Sequence, residues 1–197
     1  MGVAQLMEWL EALAQTLEME PHALIVWLIA QAIGIIGMVI NIFSMQCRKT
    51  SGVIIMLLIG SSFFGINYLL LGSYAGAVLN VFSVFRSLYL LSDKRKAKGD
   101  QLVVLSAVLL ICGGVGIYFD GWIGLIPLLA QAAGTVGMWL RNGAKLRVLQ
   151  LTLCSPLWLL NNVIVGSIGG IICEVFVISS VLISIARYGW KYLKESD

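Results

Sequence analysis

Glu174 is a carboxylate deep inside an apolar run, the seventh residue of a stretch that starts at Ile168. At the centre of a membrane helix such a group costs roughly 2.5–3.5 kcal/mol on insertion scales. It either lines a cavity, where it binds a polar group of a solute or takes up a proton, or it is a hydrogen-bonded acid that locks two helices. Asn80 lies at the corresponding depth of an earlier apolar run, with Arg86 farther along the same run. The long stem of Arg86 allows its guanidinium to snorkel to the inner interface. The sharper reading makes it a charge at an inner mouth, paired with Glu174 or with an anionic solute. Asn67 and Asn161 occupy matching places near the ends of two further runs, and Asn162 adds another amide. Buried amides either bond helices together or line a cavity. Trp158 offers a flat ring for stacking on a solute, or for packing in the core.

Other chemistries lack their residues. Cys47, Cys112, Cys154 and Cys173 form no CxxC pair, and His22 is the single histidine, so no metal centre or cofactor is expected. Intramembrane proteolysis needs an acid pair, a Ser–His pair or a metal, and Glu174 is alone. A retinal-binding lysine is missing from residues 168–187. The chain is therefore expected not to be an enzyme, and nothing in it suggests nucleic acid as a partner.

The elements that carry these residues are long and apolar. Of 197 residues, 59% are hydrophobic and 12% charged, with mean hydropathy +0.95; a soluble domain carries about 25% charged residues. Apolar segments near 23–45, 52–71, 73–92, 101–118, 121–140, 147–166 and 168–187 are each long enough for a span across about 30 Å of hydrocarbon. The expected class is an all-α polytopic membrane protein with the lipid bilayer as its surroundings.

The segments repeat. Ala30-Gln31-Ala32-Ile33-Gly34-Ile35-Ile36-Gly37-Met38 returns as Ala130-Gln131-Ala132-Ala133-Gly134-Thr135-Val136-Gly137-Met138. NYLLLGSYAG from Asn67 to Gly76 returns as NNVIVGSIGG from Asn161 to Gly170. Residues 23–92 thus form one three-helix unit and 121–187 a second, with 101–118 as a single inverting helix between them. Parallel repeats of this kind place a site between the halves. Gln31, Gln131 and the neighbouring G-x-x-G pairs read as close helix packing. Gly113, Gly114 and Gly116 form another small face, for this bundle or for a second copy in a homo-oligomer.

Charge sets the orientation. All 13 Lys and Arg, including Arg48, Lys49, Lys94, Arg95, Arg141, Arg147 and Lys191, fall on one side of the seven-segment scheme. Glu8, Glu11, Glu18, Glu20 and Asp120 fall on the other. The positive-inside rule puts the N-terminus outside, and residues 188–197 form a cytoplasmic tail. Residues 1–20 carry Leu6, Leu10, Leu13 and Leu17 on one helical face opposite glutamates, which predicts a short amphipathic helix outside, on the outer surface or against the bundle. The start lacks the basic region of a signal peptide, and Leu6 breaks a myristoylation pattern.

The run Trp158-Leu159-Leu160-Asn161-Asn162, then Gly166-Ser167-Ile168-Gly169-Gly170 and Glu174, resembles the YgjV-type bacterial inner-membrane proteins. So do Leu70-Leu71-Gly72-Ser73-Tyr74, Asn80 and Arg86. The 3+1+3 arrangement is similar to the SWEET sugar facilitators and the wider PQ-loop (MtN3-like) superfamily. In those proteins the first helix of a repeat ends in Pro-Gln; here Met45-Gln46 precedes Arg48, and the proline is gone. An Asn in the third helix of each repeat lines their cavity; Asn80 matches in the first repeat, while Glu174 stands in the second. The resemblance implies a multi-pass protein of the bacterial inner membrane and a sugar-like solute.

The expected function is a transporter or facilitator of a small polar solute, alternating access between two three-helix repeats. Its candidate binding residues are Asn80, Glu174, Asn67, Asn161, Trp158 and Arg86. The alternative is a structural or partner-binding membrane protein in which the same polar groups lock helices.

Overall fold

The computed structural model describes residues 11–12, 14–15, 19–44, 50–92, 98–140 and 148–188. Among these, all regular structure is helical. We number the α-helices α1 Pro21–Ser44, α2 Thr50–Leu70, α3 Tyr74–Ser92, α4 Lys98–Asp120, α5 Leu125–Trp139, α6 Ser155–Val165 and α7 Ile168–Tyr188. Residues 11–12 and 14–15 are helical too. The rest of the expected N-terminal amphipathic helix, and residues 189–197 of the expected tail, lie outside the described residues.

The helices begin and end within a few residues of the apolar segments, and two departures have local causes. The expected segment from 121 opens with a tight 3-10 turn, Gly121–Gly124, before α5 begins. Gly121 has φ +60°, which breaks the helix there, and Pro127 in the first turn of α5 has no N–H to donate back. The expected segment from 147 contains a π-turn, Gln150–Cys154, ahead of α6. Pro156 removes the N–H that would bond residue 152, and its ring pushes that carbonyl away, so the helix widens.

Pro21–Ser44 and Gln101–Trp139 are long and apolar enough to cross a membrane. Gln101–Trp139 is a hairpin rather than one rod. The Gly116 carbonyl lies close to Gly124, and Gly113 faces Leu128, so α4 and α5 run antiparallel side by side. Ile54–Leu70, Gln150–Val165 and Ile168–Ile183 are shorter apolar helices.

In packing, α1 lies on α2, α2 on α3, α5 on α6 and α6 on α7. Two further contacts join the halves: α1 against α7, and α3 against α5. The helix α4 packs on α3 and α5.

Burial is inverted relative to a soluble protein. Gln31, Asn67, Asn80, Gln101, Gln131, Asn161 and Asn162 are buried, while Leu110, Ile111 and Val103 are each more than 65% exposed. Amides buried inside and hydrocarbon outside suit lipid as the solvent. Tyr118 and Trp122, both over 80% exposed, sit at the tip of the α4–α5 hairpin, where an aromatic belt meets the headgroups.

Candidate functional site

The core between the halves is built around Tyr68, near the end of α2. It packs with Phe64, Ala77 and Cys173, and Met38, Trp158 and Val165 close over them. The Tyr68 ring stacks on Trp158, with centroids 5.8 Å apart. Its hydroxyl donates to Asn162 Oδ1 at 2.5 Å. One side chain from the first half thus reaches α6 and α7 of the second. Sequence reasoning passed over Tyr68; its position directly after the repeated Asn67, where the second copy has Asn162, was the available signal.

The helix junctions that position these groups are built alike. Each of α2 and α6 ends in a glycine with positive φ, Gly72 at +78° and Gly166 at +73°. The next residue is a serine. Ser73 N–H bonds Tyr68 O and Ser167 N–H bonds Asn162 O, both at 2.9 Å, which closes a Schellman turn. The same serines cap the following helices: Ser73 Oγ accepts from Gly76 N, and Ser167 Oγ from Gly170 N, each at 3.3 Å.

The two repeated asparagines then diverge. Asn67 is fully enclosed, donates Nδ2 to Ala30 O at 2.7 Å and accepts from Ser167 Oγ at 2.7 Å. Gln31 joins this knot by donating to Gly166 O at 2.8 Å and accepting from Ile168 N at 2.9 Å. Here α1 and α7 touch backbone to backbone, because Gly169 sits directly on Gly34. Asn161 is equally enclosed, 1% exposed, yet no well-aligned hydrogen bond reaches its oxygen or nitrogen, and Tyr68 is the polar group beside it. Ser73, which matches Ser167, turns instead to Asp120 Oδ2 at 3.4 Å.

Glu174 projects from α7 among Ser155, Cys154, Cys173 and Tyr68. Its Oε2 is buried without a partner. Asn80 occupies the matching register of α3 in a different setting: it is buried, donates Nδ2 to Gly76 O of its own helix at 2.9 Å, and lies against Gly65. Arg86 is drawn inward. Its Nη1 donates to Thr135 Oγ1 of α5 at 2.9 Å, its guanidinium lies 5.9 Å from the Phe82 ring centre, and its Nε has no partner. Gln131 donates to Ser83 Oγ at 2.6 Å, a second polar tie between α3 and α5.

Above the core is an open cleft of about 360 Å³. Leu71, Ser73, Tyr74, Phe119, Asp120 and Val165 are among its lining. Asp120 closes one edge by accepting from Ala75 N at 2.8 Å and Tyr74 N at 3.2 Å, where its charge meets the positive end of α3. Val165 belongs both to this cleft and to the layer around Tyr68. No group of three or more metal-ligating side chains occurs among the described residues.

Comparison with known proteins agrees with the inverted burial. The family model described as a bacterial inner membrane protein, Imp-YgjV, matches residues 28–191. The inner membrane protein YgjV of Escherichia coli (strain K12) is 27% identical over 150 residues, which cover 75% of this chain and 77% of that protein. No solved structure matches. With an exterior of hydrocarbon, amides buried within the bundle and a family match that runs from α1 to the end of α7, this chain belongs to the Imp-YgjV family of bacterial inner membrane proteins.

Proposed function

We propose that this protein moves a small polar solute across the inner membrane, with α1–α3 and α5–α7 as two parallel repeats that rock about a central site. The helix α4 inverts the chain between them, the N-terminus is outside and the C-terminus cytoplasmic, an arrangement similar to the SWEET and PQ-loop proteins. The packing supports this. Exchanging α1, α2 and α3 for α5, α6 and α7 maps each helix contact within one unit onto the other, and maps α3–α5 onto α7–α1. The turns at Gly72 and Gly166 follow the same exchange.

The observation that carries the reading is the pair of unsatisfied groups between the halves. Asn161 and the Glu174 Oε2 are buried polar atoms without partners. An orphaned buried polar group costs about 1–3 kcal/mol and marks a place that a ligand or water completes. Tyr68, Asn162 and Trp158 form the wall beside them. Asn67, by contrast, is spent on helix packing, and Arg86 ties α3 to α5 through Nη1 while its Nε is a further unpartnered atom. The role proposed is non-enzymatic: these groups are read as binding atoms.

Labelling at position 161 tests the proposal. With Cys47, Cys112, Cys154 and Cys173 replaced by alanine, Asn161→Cys is exposed to a small membrane-impermeant thiosulfonate in right-side-out and inverted vesicles. Labelling from at least one side is expected. A folded variant that reacts from neither side would favour the structural, partner-binding reading, in which the polar groups serve only to lock helices.

A further inference from the structure

We propose that the central site takes a small organic ammonium ion; this rests on the transport reading and names its solute. Three features converge. First, Glu174 sets a carboxyl among Tyr68, Ser155, Cys154 and Cys173; Ser155 hydrogen-bonds it, Oε2 is buried and unpartnered, and Arg86 approaches the cluster on the far side of Cys154. Second, Asn161, 1% exposed, has neither its oxygen nor its nitrogen in a well-aligned hydrogen bond, with the Tyr68 hydroxyl as its polar neighbour. Third, Tyr68 and Trp158 form an aromatic wall beside both.

Charge decides between solute classes. An unpaired buried carboxylate is unfavourable, and a cation relieves it by ion pairing and charge-assisted hydrogen bonds. Aromatic rings tolerate an ammonium group beside them and repel an anion. A neutral polyol could satisfy Asn161 but would leave the carboxylate unpaired. An anion would turn to Arg86, which lies beyond Cys154; its Nη1 is held by Thr135 while its Nε is unpartnered. The outer cleft repeats the preference. Its charged lining residue is Asp120, with the rings of Tyr74 and Phe119 beside it and no Lys or Arg. The oxygens of Asp120 are already engaged at the start of α3, so the cleft admits a cation without trapping it, and selection falls to Glu174.

The test is thermal stability of the detergent-purified full chain with four probes: ethanolamine and tetramethylammonium as cations, xylitol as a neutral polyol, and glycolate as an anion. Ligand that binds the folded state raises the melting temperature, by an amount that grows as the logarithm of ligand concentration above Kd. The expected result is a dose-dependent rise with at least one cation and none with xylitol or glycolate. Glu174→Gln should weaken cation binding by about 30-fold or more, whereas Glu174→Asp, which keeps the charge, should retain part of it. The wild-type probe comparison stands even where Glu174→Gln fails to fold. A rise with xylitol that survives Glu174→Gln overturns the ammonium assignment and leaves the central site standing. No rise with any probe, in a protein whose position 161 is labelled from one side, likewise overturns the solute class alone. No rise with any probe and no labelling from either side overturns both proposals.

Discussion

Asn67 and Asn161 are the same residue of a duplicated segment, both enclosed, and they do opposite things. Asn67 is tied at both ends, to Ala30 O and Ser167 Oγ, and holds α1, α2 and the start of α7 together. Asn161 is tied at neither. The difference begins at the next equivalent pair. Gly169 lets α7 touch Gly34, whereas Ala75 stands at the matching position and packs against Gly116 of α4. A methyl group in place of a hydrogen therefore goes with a change of partner helix. Two matched segments thus end in unlike junctions: one ties three helices through Asn67, and the other leaves Asn161 without such ties.

The contrast can be broken most severely at the glycine. A Cβ on Gly169 would stand 2.4 Å from the backbone carbon of Gly34, where no side chain can yield. Gly169→Ala should cost about 3 kcal/mol, read as a fall in melting temperature. The mirrored change, Ala75→Gly, should cost only about 1 kcal/mol, from helix propensity. Asn67→Ala comes next, at about 1–3 kcal/mol, because it strands the Ser167 hydroxyl and the Ala30 carbonyl. Tyr68→Phe should lose about 0.6–1.7 kcal/mol, the range for one hydrogen bond between membrane helices, and leave Asn162 Oδ1 bare. Asn161→Leu should be the smallest, within about 0.5 kcal/mol of wild type or more stable, since it removes orphaned atoms rather than a bond. If Asn161→Leu destabilised the protein as much as Asn67→Ala, the two knots would be equivalent and the contrast would collapse.

Much of the helical layout is legible along the chain, because lipid demands long apolar runs and glycine, proline and charge punctuate them. The starts of α2, α3 and α7 are examples. The turn before α5 and the π-turn before α6 were harder to see. A proline inside an apolar run shows where a helix is disturbed, but not whether it kinks, widens or restarts. Among the candidate residues, Glu174 and Asn80 were visible as polar groups in hydrocarbon. Their unequal surroundings were not, because equal register does not imply equal neighbours. Arg86 shows the same limit: its stem permits snorkelling, yet Thr135, one turn beyond Gln131 on α5, holds the guanidinium inside.

Sequence alone determined the solvent of this protein and its duplication, since both are patterns of composition and spacing that any fold must respect. Tertiary structure decided which polar groups are satisfied. A hydrogen bond depends on how closely two helices approach, and that distance is set by single atoms such as the missing Cβ of Gly169. Hence one asparagine of a repeated pair became a fastener, while its twin, with Glu174 nearby, was left open between the halves.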